Sequence, residues 1–143
     1  MLKNALVGAT LALACLSASP GHAQTQPHAF PVTAASGNVA AAAAVATLPG
    51  APGLTTFISG FEITASGATA ASCVNATVAG VVSGSLTYTF CAPAGVTAEA
   101  PPLIVNFNPP IPAASVNTAI MVTLPSLGAS NTNATVVTHG FQQ

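Results

Sequence analysis

Apolar and polar residues alternate with a period of two along much of the chain, and the longest such pattern closes on itself. Fold the chain back near Val82 so that Cys73 faces Cys91, and each residue on one arm pairs with the residue whose number brings the sum to 164. Val74 then meets Phe90, Ala76 meets Tyr88 and Val78 meets Leu86 on one face, while Asn75 meets Thr89 and Thr77 meets Thr87 on the other. Matched cross-strand neighbours are the unit of sheet stabilisation. A slip of one residue would exchange the faces, and a slip of two would part the sulfurs. The pattern predicts a β-hairpin with its apolar face toward a core and a Cys73–Cys91 disulfide on its polar face.

Other segments read the same way. In Thr55 to Ala65, Phe57, Phe61, Ile63 and Ala65 share a parity with Ser59 against Ile58, Gly60, Glu62 and Thr64, which predicts a half-buried strand with Gly60 at a bulge or a close backbone approach. Leu103, Val105 and Phe107 alternate in a short strand that Pro109, Pro110 and Pro112 are expected to end. Thr118 to Leu124 buries Ile120, Val122 and Leu124, and Ala134 to Phe141 forms the last strand after an Asn131-Thr132-Asn133 turn. Val39 to Thr47 reads as a strand of small side chains; alanine favours helix, but Gly37 and Pro49 leave too little room, and Ala40 to Ala44 stays open between the two. Gln24 to Gly37 reads as an extended lead-in before a domain spanning 38–143. Short strands at 8–12-residue intervals between Gly and Pro breakers predict an all-β fold, a single antiparallel β-sandwich or jelly roll.

Ahead of this lies an address. Lys3 gives a positive start, Ala5 to Leu16 an apolar core, and Gly21-His22-Ala23 a cleavage site before Gln24, so residues 1–23 read as a signal peptide. Cleavage after Ser19 is disfavoured by Pro20. Lipidation at Cys15 is a minor alternative, because Ala12 stands where the lipoprotein pattern wants Leu. Removal of the signal leaves Cys73 and Cys91 as an even pair bound for an oxidising compartment, secreted, periplasmic or at the cell surface. No apolar run is long enough to span a bilayer.

Charge narrows the function classes. Charged residues are 2% of the chain, only Lys3, Glu62 and Glu99, against about a quarter in ordinary domains. With no cation past Lys3, nothing neutralises phosphates, which argues against nucleic acid as a partner. A near-neutral surface also offers little repulsion against self-association. The catalytic inventory is thin. Glu62 and Glu99 are the only carboxyl side chains for a glycosidase pair, and nothing in their spacing brings them together. A triad or zinc site would have to use His28 and His139 with no Asp in the chain, and Gly80 to Gly84 lacks the lysine and helix of a phosphate loop. No cofactor or metal is expected. The sequons at Asn75 and Asn133 fall on polar positions.

Phe57-Ile58-Ser59-Gly60-Phe61, Ser66-Gly67-Ala68-Thr69-Ala70, Pro102 to Phe107, Asn117-Thr118-Ala119-Ile120 and Asn131 to Phe141 resemble turn and strand segments of small β-sandwich proteins of bacteria, phages and prophages. The resemblance covers about two thirds of the chain, implies a sandwich fold and carries no catalytic residue; the export signal and cysteine pair depart from it. The expected function is that of an exported, non-enzymatic structural or surface-interaction protein forming a homo-oligomer. The alternative is a monomeric binding module for a cell-surface glycan or ice, using a face of Asn75, Thr77, Thr87 and Thr89, although Tyr88 points inward and no Trp exists to stack on sugar.

Overall fold

The structure is a computed structural model that describes residues 29–95, 97–128 and 131–143. The expected signal peptide, with Lys3 and Cys15, and the start of the lead-in, with His28, lie outside the described residues. Eight strands follow in order: β1 Phe30–Ala35, β2 Ala44–Leu48, β3 Thr56–Ser66, β4 Ser72–Val81, β5 Gly84–Ala92, β6 Leu103–Pro112, β7 Ile120–Leu124 and β8 Asn133–Gln142. They form two four-stranded antiparallel sheets, β1-β8-β3-β6 and β2-β7-β4-β5. Only β4 and β5 are joined as neighbours in one sheet; every other connection crosses to the opposite sheet. That strand order is a jelly roll, the all-β sandwich that the spacing of strands and breakers predicts.

The hairpin has the expected register from Ser72↔Ala92 through Cys73↔Cys91 to Val78↔Leu86. Beyond it, a bulge between Val78 and Val81 and a tight turn at Val82-Ser83 bring the chain round, with Gly84 at φ 85° closing the turn. Ala76, Val78 and Phe90 are buried, Tyr88 and Leu86 half-buried, and Asn75, Thr87 and Thr89 exposed. The bridge joins Cys73 to Cys91 on the outer face.

Between the sheets, Phe61, Ile58, Ile63 and Val136 of one meet Leu48, Val78, Ile120, Val122 and Leu124 of the other, all at most 1% exposed. Phe61 meets Tyr88 edge-on at 5.3 Å and Phe107 at 6.2 Å, so one aromatic cluster ties β3, β5 and β6 together. Buried polar groups are paired where the sheets are pinned. Gln142 Nε2 and Thr56 Oγ1 both donate to the Pro49 carbonyl, at 2.7 and 2.9 Å, and Thr138 Oγ1 donates to the Gly60 carbonyl at 3.2 Å.

Four sequence expectations are corrected. The lead-in contains β1, a strand of the sandwich, so the domain begins no later than Phe30 rather than at residue 38. The alanine-rich strand starts at Ala44; Ala40–Ala43 is a bend, neither strand nor helix, with Ala41 at φ 53° and its N–H held by the carbonyl and side-chain oxygens of buried Asn131, each at 3.0 Å. This bend carries the chain from one sheet to the other. Within β3, the bulge between Ile58 and Gly60 reverses the parity, so Ile58 joins Phe61 and Ile63 inside while Phe57 turns outward. Gly60 is thus at both a bulge and a close approach, since a Cβ there would lie 2.6 Å from the Val105 carbonyl oxygen. Finally, β6 continues through its prolines. It is an edge strand, and between Asn106 and Ile111 it bulges away from β3, so Pro109 and Pro110 interrupt no ladder.

Candidate functional site

Two polar surfaces deserve the name of candidate sites, one on each sheet. On the outer face of the β5-containing sheet, Val45, Thr123, Thr77 and Thr87 form a row across all four strands. Asn75 and Thr89 flank that row on β4 and β5, and Thr89 Oγ1 donates to Asn75 Oδ1 at 3.2 Å. The bridge sits next along the same two strands. The structure therefore brings Asn75, Thr77, Thr87 and Thr89 together as the sequence predicts and extends them with Thr123 of β7. The hydroxyls of Thr123, Thr77 and Thr87 sit on adjacent strands, about 4.8 Å apart from strand to strand. No charged side chain lies on this face among the described residues, since both glutamates belong to the other side of the sandwich.

The second surface is a cleft of about 380 Å³ at one end of the β3-containing sheet, lined by Thr64, Ser66, Glu99, Asn133 and Thr135 together with Ala65, Ala100 and Pro102. Pairing of β3 with β8 sets Thr64 beside Thr135 and Ser66 beside Asn133. The loop after β5 supplies the third wall: Glu99 bridges Ser66, the Ala100 N–H donates to the Ala65 carbonyl at 3.0 Å, and the Gly95 N–H donates to the Ala68 carbonyl at 2.8 Å. Asn133 is held in place from both sides, accepting from Asn38 Nδ2 at 2.9 Å and donating to Ser66 Oγ at 2.9 Å. The cleft thus presents one exposed carboxylate, hydroxyls and an amide, a donor and acceptor set suited to hydrogen-bonding a small polar molecule.

Glu62 does not join it. It lies on the same outer face but four residues along β3 from Ser66, about 13 Å of strand away. His139 lies half-buried on that face too, paired across β8 with Thr33 and Gly60. Beside it an apolar row, Pro31, Phe141, Phe57 and Pro112, crosses all four strands, with the two phenylalanine rings stacked at 4.9 Å. Sequence reasoning missed both the cleft and this row. In the sequence Asn133 stands out as a turn residue and a sequon but not as part of a cleft, and the reversed parity of Phe57 conceals the row.

Among the described residues there is no group of three His, Cys, Asp or Glu placed to hold a metal, and no helix long and apolar enough to cross a membrane. Comparison with protein-family models, with curated proteins and with solved structures finds no match to the chain. What fold and site define is a jelly-roll sandwich with an intramolecular disulfide, and that bond fits an oxidising compartment.

Proposed function

We propose that this chain is an exported, non-enzymatic structural or surface-interaction protein that works by associating with copies of itself. The observation that carries the reading is the charge distribution. Glu62 and Glu99 are the charged side chains among the described residues, and both stand on the β3 side. The whole β5 side is left uncharged, wetted by threonine, serine and asparagine. Monomeric soluble domains ordinarily rely on mixed surface charge for colloidal stability. An uncharged sheet face pinned by a disulfide suits a protein that meets its own kind outside the cytoplasm. Light scattering coupled to size exclusion on the oxidised protein tests it: a discrete oligomer or larger assembly supports the proposal, and a monomer at every accessible concentration refutes it.

A second reading draws on the cleft at Glu99. There the chain would act as a single-copy binding module for a polar, hydroxyl-bearing ligand such as a glycan. Titration of the monomer against a glycan array, with Asn133→Ala as the control, separates this from self-association.

A further inference from the structure

The four sheet edges differ in how they resist a second strand. β1 carries Pro31, β6 carries Pro109, Pro110 and Pro112, and β2 is only five residues long. Proline and shortness are two of the devices by which proteins blunt exposed edges. β5 has neither. It runs nine residues with no proline and no charge, and among the described residues its backbone pairs with β4 alone.

The phase of that pairing decides which backbone groups are free. At Cys73 and Cys91 the Cα atoms are 4.0 Å apart, the spacing of a non-hydrogen-bonded antiparallel pair. Asn75↔Thr89 and Thr77↔Thr87, two and four residues on, are pairs of the same kind. Thr87, Thr89 and Cys91 therefore direct their N–H and C=O groups away from β4, toward the open edge. Leu86, Tyr88 and Phe90 bond theirs to β4.

We propose that a second copy of this chain adds antiparallel along β5, about a twofold axis at Tyr88, so that the two β5-containing sheets join into one sheet of eight strands. The inference rests on the self-association reading and gives it a contact. The strand is its own complement in this register. Thr87 faces Thr89 of the second copy, so the free backbone groups meet as a hydrogen-bonded pair. Leu86 faces Phe90 and Tyr88 faces Tyr88, so apolar inner positions oppose each other. An axis at Thr87 or Thr89 would keep the faces sorted but lose overlap at one end; the axis at Tyr88, the middle residue of Gly84–Ala92, uses the full strand. With no charge on either edge there is no repulsion to overcome. Leu86, Tyr88 and Phe107 also remain half-buried where the sandwich opens beside β5, and an added strand extends their cover.

Two exposed, outward positions make the test. In T87K/T89K, lysines oppose each other across both threonine pairs, and the dimer dissociation constant is expected to rise about tenfold or more. In T87K/T89E every such pair becomes lysine against glutamate, and association is expected to stay at least as strong as in the unaltered protein. Light scattering over a concentration series reads both variants, with circular dichroism confirming that each keeps its fold. If the unaltered protein associates and T87K/T89K associates equally well, β5 is not the contact and the inference falls while self-association stands. Association lost in both variants overturns the axis at Tyr88. A monomeric unaltered protein removes the reading itself, and the inference with it.

Discussion

Replacing both bridged cysteines, Cys73→Ala with Cys91→Ala, isolates the contribution of the staple. The two residues are 18 apart in sequence, and closing a loop of that length in the unfolded chain corresponds to about 3 kcal/mol in the chain-entropy description. Because both cysteines are exposed on the outer face, their removal opens no cavity in the core, so no packing loss should add to that figure. For a domain of this size the loss corresponds to a fall of about 12 °C in Tm. The unfolded chain, freed of its cross-link, also expands, so the urea m-value should rise. Urea titration of the oxidised protein and the double variant measures the loss of stability and the m-value, and thermal melting of both measures the fall in Tm. Tyr88, the only tyrosine in a chain without tryptophan, gives a fluorescence signal inside the hairpin itself. A loss under about 1 kcal/mol with an unchanged m-value would refute the reasoning, because the bridge would then be restraining nothing that the strand register does not already restrain.

Other outcomes follow from single contacts. Gly140→Ala would drive a methyl group into the Phe57 carbonyl oxygen and to 2.9 Å from Leu48 Cδ1, in the interior strand β8; thermal melting should show a loss of about 2 kcal/mol or more. Thr138→Val removes the buried hydroxyl that bonds the Gly60 carbonyl at the β3 bulge. It should cost about 1 kcal/mol in urea titration, and no change would mean the bulge holds itself. Intact-mass analysis of the protein recovered from a secreting host should find a chain beginning at Gln24; a retained leader or a lipid on Cys15 would contradict the expected processing.

How much of this was legible depended on how local the information was. The β4–β5 hairpin could be read because its partners lie within one turn of each other, and both the sorting of faces and the sulfur pair select the same register. The β7 alternation of Ile120, Val122 and Leu124 was equally direct. Strand order was not readable, because a jelly roll pairs β1 with β8 and β2 with β7 across most of the chain. The prolines of β6 misled for a physical reason: they forbid a ladder only where an N–H is needed, and this strand is an edge that bulges where Pro109 and Pro110 fall. The bulge at Gly60 was anticipated, but its effect on parity was not, and that single shift moved Phe57 from the expected inner face to the outer row with Phe141. Likewise the cleft joins residues near 65, 100 and 134, which only nonlocal pairing brings together.

The most direct test of self-association through β5 is amide hydrogen exchange on the oxidised protein at low and high concentration. The N–H groups of Tyr88 and Phe90 are bonded to β4 and should be protected at both concentrations. Those of Thr87 and Thr89 face the open edge and should exchange quickly when dilute, then slow as the concentration rises. Exchange at Thr87 and Thr89 that stays fast at a concentration where scattering shows an oligomer would contradict the account.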